Sequence, residues 1–390
     1  MIRIRTLLHF LFIIQVFISH FVMMAQNQRE IELERQINKV IQSFPIAGVA
    51  VSVLSADTVY YINAFGYADL ETKKKYTTET IQNIASISKT VVGLSITKAT
   101  ELGFFKPEDP VNKYLPFQLH HPEFSQNQIT IMQLATHTSG IVDRSSVYNL
   151  KCYVEAGKPV MSLKDFVFNY FNPAGKWFSE KNFSNYAPGM RYEYSNTGAA
   201  LAAYIVEYAT STDFAGFTSK YIFQPLGLKN TGWFLASIDV DLHATLYDPD
   251  LKKRNLYQLI TYPDGGLRTN ISELTTYFRM ILNNGQLNGV KILENNSITE
   301  LTKPRFNPEK LPDNFPSLNQ GIFWEIEKSP LAGVIQGHSG GDPGVSTMMY
   351  YLPAIKKGII YISNTGSDGR NIEGFNQIWK ILVDYAKKLE

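Results

Sequence analysis

Asn83-Ile84-Ala85-Ser86-Ile87-Ser88-Lys89-Thr90 is the stretch from which the rest of the chain is read. An apolar approach ends at Ser86, and a helix-compatible run from Thr90 to Leu102 follows at once. If Ser86 opens that helix, Lys89 lies one turn on and faces the same way, with Cβ atoms roughly 5–6 Å apart. A hydroxyl is a weak nucleophile at neutral pH, and a lysine amine one turn away can act as its base. A helix N-terminus adds unpaired N–H groups and a positive dipole end, which suit a developing oxyanion. Ser86 is the candidate nucleophile. The spacing alone is weak, because Ser-x-x-Lys arises about once or twice by chance in such a chain. It recurs at Ser95-Ile96-Thr97-Lys98, inside the helical run, where a serine usually bonds the carbonyl one turn back.

Working outward, the chain of 390 residues is 44% hydrophobic and 18% charged, an ordinary globular composition. Residues 1–25 stand apart: Arg3 and Arg5 precede a mostly apolar run from Leu7 to Met24, the pattern of a secretory signal ending at Ala25. An uncleaved N-terminal anchor is the competing reading. Without Arg3 and Arg5 the basic residues fall from 37 to 35 against 35 acidic ones, so the mature chain is close to neutral. Neutrality gives no reason to expect nucleic acid as a partner. Cys152 is the only cysteine, which excludes an intrachain disulfide, and with no histidine near it in Leu150-Lys151-Cys152-Tyr153 it reads as buried packing rather than a catalytic thiol. His120, His121, His137, His243 and His338 show no paired metal-ligand spacing, so no metal or cofactor is expected.

Residues 29–44 carry Ile31, Leu33, Ile37, Val40, Ile41 and Phe44 at helical spacing, ended by Pro45. Gly48–Leu54 reads as a buried strand and Thr58–Phe65 as its antiparallel partner. Helices are predicted at Thr90–Leu102, Thr130–Thr136, Thr197–Thr210 and Asp213–Phe223, with loops rich in Tyr, Phe, Asn and Ser over 141–190. Strands return at Gln320–Glu327, Gly333–His338, Ser346–Leu352 and Lys357–Ser363. A last amphipathic helix spans Asn371–Leu389. The expected architecture is an α/β (α+β) unit, an antiparallel sheet flanked by terminal helices with a mainly helical insertion. The boundaries are about 26–89 and 266–390 for the α/β part and about 90–265 for the helical part.

Two further stretches bear on chemistry. Tyr194-Ser195-Asn196 opens the Thr197 helix. A Tyr194 phenolate can exchange protons with Ser86 or a leaving group, and Asn196 can hold Lys89 and a substrate carbonyl. Capping explains Ser195-Asn196 equally well. His338-Ser339-Gly340-Gly341 ends a predicted strand, where glycines admit a ligand close to the backbone or simply make a turn.

Ser86-x-x-Lys89, Tyr194-Ser195-Asn196 and His338-Ser339-Gly340, in that order, resemble the three motifs of the serine β-lactamase and penicillin-binding-protein superfamily. Tyr194 resembles the class C β-lactamase and D-Ala-D-Ala carboxypeptidase branch. Leu134-Ala135-Thr136-His137-Thr138-Ser139-Gly140, Pro225-Leu226-Gly227-Leu228 and Gly265-Gly266-Leu267 are similar to that branch as well. The resemblance implies Ser86 as the acylated nucleophile, Lys89 as its activating partner and Tyr194 as proton carrier. It implies an oxyanion hole from the backbone N–H groups of Ser86 and Gly341, and substrate contacts from Asn196, His338, Ser339 and Gly340. His338 stands where class C β-lactamases carry lysine. A mostly neutral imidazole offers a substrate carboxylate little attraction. The expectation is therefore an exported peptidase or esterase acting on a D-amino-acid peptide, a peptidoglycan-derived fragment or a small ester. A true β-lactamase, a non-turnover penicillin sensor and an inactive relative are the alternatives. A corollary is that β-lactam acylation should improve once acid charges His338.

Overall fold

The computed structural model describes residues 27–158 and 160–389; the signal segment read over 1–25 lies outside them. Its longer helices are α1 (27–43), α2 (Ser88–Glu101), α3 (Asn196–Thr210), α4 (Ile271–Leu282) and α5 (Ile372–Ala386). The main strands are β1 (Gly48–Leu54), β2 (Val59–Asp69), β3 (Lys74–Lys75) and β4 (Asn319–Gln320). They are followed by β5 (Glu325–Ser329), β6 (Gly333–Asp342), β7 (Val345–Leu352) and β8 (Lys357–Ser363). They form one antiparallel sheet in the order β4-β5-β6-β7-β8-β1-β2-β3. The N-terminal hairpin therefore joins the C-terminal meander through β1 and β8, with Val49 opposite Ser363 and Leu54 opposite Gly358.

Every residue of β1 is buried because both faces of the sheet are covered. Val49, Val51 and Val53 meet Leu33, Ile37 and Val40 of α1 and Phe375, Ile378 and Leu382 of α5. Ala50 and Leu54 point the other way, into a core shared with α2, α3 and α4. Each large apolar side chain so buried contributes roughly 1.5–3 kcal/mol relative to exposure. The terminal helices are thus held by the alternation of β1 and β8 rather than by each other alone.

α2 and α3 are the inner helices. Ser88 to Thr97 of α2 and Thr197 to Val206 of α3 are all buried, so neither has a polar outer face over those turns. Three hydroxyls of α2 donate to carbonyls one turn back: Thr90 to Ile87 O, Ser95 to Val91 O at 2.7 Å and Thr97 to Gly93 O. The second Ser-x-x-Lys is therefore structural at its serine.

Three expectations change. α4 lies in a segment read as strand-rich, although Asn270 caps it by accepting from Glu273 N, and Ile271, Leu274, Phe278 and Ile281 follow helical spacing. Its buried stripe packs beneath the sheet, with Phe278 in the same core as Leu54. Second, β6 does not end at His338. Ser339, Gly340 and Gly341 continue the ladder opposite Met348, Thr347 and Ser346, and the turn falls at Pro343-Gly344. A ladder partner on β7 holds these glycines extended, which single-strand propensity does not register. Gln320–Glu327 likewise breaks into β4 and β5.

Candidate active site

The nucleophile turn is held from two sides before Ser86 is reached. Ile84 N–H donates to Leu267 O at 3.0 Å, and Ile84 O accepts from the Thr347 hydroxyl at 3.0 Å. Ala85 then adopts φ +49°, a left-handed conformation that is strained for a residue with a Cβ. A short 3-10 turn, Ala85–Ile87, feeds into α2. Between Ile81 and Thr97, Ser86 alone is not buried. The turn thus presents one hydroxyl to the outside from a stretch that is otherwise buried.

Ser86 Oγ lies 3.0 Å from Lys89 Nζ and 2.9 Å from the Tyr194 hydroxyl. Lys89 is fully buried, and its Nζ donates to Asn196 Oδ1 and to the Asp264 carbonyl, both at 2.6 Å. Burial pushes its pKa below the ordinary lysine value, against the opposing pull of Asp264, Asp143, Asp342 and Glu325. A neutral amine has two N–H groups and one lone pair. Asn196 Oδ1 and the Asp264 carbonyl can only accept, so they take the N–H groups and leave the lone pair for the Ser86 O–H. That is the hydrogen-bond pattern of a general base.

Tyr194 corrects the phenolate expectation. Burial raises its pKa well above the ordinary tyrosine value, so it sits as a phenol donating to Ser86 Oγ. Its ring lies against His137, centroids 4.4 Å apart, and Lys89 Nζ is 5.0 Å from its centroid.

Asp143, which sequence reasoning passed over, organises the second motif. Its carboxylate accepts from Ser195 Oγ, Asn196 N, Asn196 Nδ2, Thr197 N and Thr197 Oγ1. It caps α3 from outside while orienting the Asn196 amide so that Oδ1 faces Lys89. His137 accepts the Ser195 N–H on Nδ1 at 3.2 Å and supports the same loop. The only sequence signal for Asp143 was an acid just after Thr138-Ser139-Gly140.

The third motif runs beside Ser86 on β6. A Cβ on Gly340 would lie 2.5 Å from Thr347 Oγ1, 2.7 Å from Ile84 O and 2.9 Å from Ser86 N. Only glycine allows the strand to approach the turn so closely. Gly340→Ala is therefore expected to lower the melting temperature and to reduce kcat/KM roughly a hundredfold by displacing Ser86. Unchanged kinetics in a folded variant would show that the approach does not matter. Ser339 N–H donates to the Glu325 carboxylate, on the side of β6 away from β7. Gly341, two residues on, directs its N–H the same way, past the end of β5 and out of the ladder.

His338 departs most from expectation. Its ring is only 2% exposed; Nδ1 contacts Ser339 O at 2.6 Å and Nε2 faces Glu325 Oε1 at 3.5 Å. Burial and the charge of Lys89 depress its pKa to about 3. It stays neutral over the working range, so the expected gain in β-lactam acylation on mild acidification is withdrawn. In this conformation the imidazole meets Glu325 and Tyr194 rather than solvent.

The Beta-lactamase family model matches residues 33–381. The chain is 28% identical to a penicillin-binding protein of Bacillus subtilis (strain 168), over 88% of this chain and 74% of that protein. It is 27% identical to esterase EstB of Burkholderia gladioli, over 52% of this chain and 51% of the esterase. Among solved structures it superposes on the octameric penicillin-binding protein homologue from Pyrococcus abyssi with a TM-score of 0.72 and 25% identity, covering 88% of this chain and 75% of that one. Because the family match runs from α1 to α5 and takes in the sheet, the inner helices and the Ser86 turn alike, the chain belongs to the Beta-lactamase family of serine hydrolases.

Proposed function

We propose that the protein is an exported hydrolase that forms an acyl-enzyme on Ser86 and acts on a D-amino-acid peptide, a cell-wall fragment or a small ester. The observation that carries this reading is Ser86 Oγ held between the buried Lys89 amine and the Tyr194 phenol. Lys89 takes the Ser86 proton as Oγ bonds to the substrate carbonyl carbon. The carbonyl oxygen becomes an oxyanion facing the Ser86 and Gly341 N–H groups, each such donor being worth about a hundredfold to a thousandfold in rate. Collapse breaks the bond to the leaving group, which receives the proton held by Lys89 through the Tyr194 hydroxyl. Water then gives a proton to the same amine and attacks the acyl carbon, and Ser86 Oγ recovers its proton as the acid leaves.

A peptidase or esterase is favoured over a β-lactamase because residue 338 presents no cation. The resemblance puts a substrate carboxylate beside that residue, and here it is a neutral, buried ring. Export rests on Arg3, Arg5 and the apolar run after them; among the described residues, no helix is long and apolar enough to cross a membrane.

The test is to treat purified protein with a fluorophosphonate and a fluorescent penicillin, and to measure kcat/KM for p-nitrophenyl acetate and nitrocefin. Fluorophosphonate labelling with faster ester than nitrocefin turnover is expected. Efficient nitrocefin hydrolysis would make the protein a β-lactamase, and silence with every probe would make it an inactive relative.

A further inference from the structure

The loop that receives the Lys89 amine is pinned to the nucleophile turn at three points. Leu267 O accepts from Ile84 N–H at 3.0 Å, Leu267 N–H donates to Ser88 Oγ at 3.1 Å, and the Asp264 carbonyl accepts from Lys89 Nζ at 2.6 Å. Asp264 closes the 3-10 turn Tyr262–Asp264, just before Gly265-Gly266, and is only 1% exposed. The amine that serves Ser86 thus rests on a residue that also carries a carboxyl. Bond lengths alone keep that carboxyl within about 7 Å of Nζ, whatever its rotamer.

The carboxyl has few partners of its own. Tyr148, a phenol by burial, donates to Oδ1 at 3.0 Å. Oδ2 is buried and has no hydrogen-bond partner among the described residues, and the nearby Thr261 hydroxyl has none either. Burial also keeps the Cys152 thiol neutral. One hydroxyl donor is too little to hold a carboxylate charged out of water, so a nearby cation decides its state. Lys89 and Asp264 are each the strongest charge acting on the other. The other carboxylates that act on Lys89 are satisfied elsewhere. Asp143 takes donors from Ser195, Asn196 and Thr197, Asp342 takes the hydroxyls of Tyr153 and Tyr257, and Glu325 takes the Tyr350 hydroxyl and Ser339 N–H. Asp143 and Asp342 add to burial in raising the Asp264 pKa to about 7. Arg268 is bound to the carbonyls of Trp233, Gly266 and Tyr257, while burial holds His137 and His338 neutral and Tyr194 a phenol.

We propose that the Asp264 carboxylate is the counter-ion of Lys89, a positioning residue that strengthens the amine as a base and stabilises the ammonium formed when Ser86 gives up its proton. As Ser86 Oγ bonds to the acyl carbon, its proton passes to Lys89 Nζ, and a positive charge appears where burial excludes water. An anion tied to that amine through its own backbone carbonyl meets the charge without having to move. The same anion has a cost at rest, because it holds a proton on Lys89 to higher pH and so delays the neutral amine. Base strength and base availability are therefore set against each other by one side chain. This deepens the acyl-enzyme reading and rests on it.

The experiment follows the rate constant of fluorophosphonate labelling against pH in wild type and in Asp264→Asn, with circular dichroism as the check on folding. Asparagine keeps the size and a carbonyl oxygen for the Tyr148 hydroxyl but carries no charge. The midpoint of the acid limb is expected to fall by about one to two pH units, the effect of one charge at about 7 Å inside a protein. The plateau above it is expected to fall about threefold to tenfold, because a weaker base takes the proton less readily. A shift of midpoint with a lower plateau is the signature of a lost charge, whereas a loosened loop lowers the rate at every pH and leaves the midpoint in place. Asp264→Ala removes the same charge with less bulk and decides the case if the asparagine variant does not fold. In a folded variant, a midpoint that stays or rises, or labelling lost at every pH, overturns the proposal. No labelling of the wild type at any pH overturns the acyl-enzyme reading beneath it instead.

Discussion

Ser86→Ala abolishes fluorophosphonate labelling and lowers kcat/KM for p-nitrophenyl acetate by about a thousandfold or more, because a serine nucleophile works as a unit with its base. Ser95→Ala leaves both within about threefold. Its hydroxyl is buried and spends its proton on Val91 O one turn back, the weak local bond expected inside a helix. The two serines share the spacing to a lysine, so the pair separates motif from geometry. Lys98, the partner in the second copy, is bound to Glu101 at 2.7 Å rather than to Ser95. Intact mass spectrometry and peptide mapping read the result directly. An adduct on the peptide carrying Ser95, or one that persists in Ser86→Ala, would falsify the choice of nucleophile.

Replacing Lys89 gives the second large effect, and its pH dependence says why. Only the neutral amine can take the Ser86 proton, and burial holds its pKa below the ordinary 10.5. Labelling rate should therefore rise with pH through the Lys89 pKa. It should not fall again near the ordinary tyrosine value, since burial keeps Tyr194 a phenol. Lys89→Met removes the base and should slow labelling about a hundredfold to ten-thousandfold, with the acid limb gone. Lys89→Arg keeps a cation that cannot release its proton, so it should lose as much. Stability is a less sharp readout, because two groups oppose each other. Between the folded Lys89 pKa and 10.5 the unfolded chain holds more protons, so Lys89 makes stability rise with pH. Asp264, raised by burial from 3.8 to about 7, acts in reverse: its contribution is full below 3.8 and is lost as pH rises through about 7. The rate constant of labelling against pH is the deciding measurement, and an unchanged profile in Lys89→Met would remove Lys89 from the mechanism.

The elements most legible in the sequence are those whose patterns are local. β1 and β8 read as buried strands because short runs rich in β-branched residues between turns leave little else, and α5 reads from a one-sided stripe. The nearness of Ser86 and Lys89 follows from helical spacing alone. α4 is equally local, with its Asn270 cap and apolar stripe, but it falls outside every element read from the sequence.

What the sequence determined by itself is therefore most of the long strands, the two terminal helices, and the residues of three motifs in their order. The tertiary structure alone decided what those motifs touch. Tyr194 reaches Ser86 across 108 residues, and Asp342 takes its hydroxyl donors from Tyr153 and Tyr257 across 189 and 85. It also decided that Ser339, Gly340 and Gly341 are strand rather than turn, that His338 faces inward onto Glu325, and that Asp143 holds Asn196. The reason is physical: periodicity reports which face of an element is apolar. Protonation, side-chain orientation and the space around a glycine depend on which distant elements close over that face, and on how completely they exclude water.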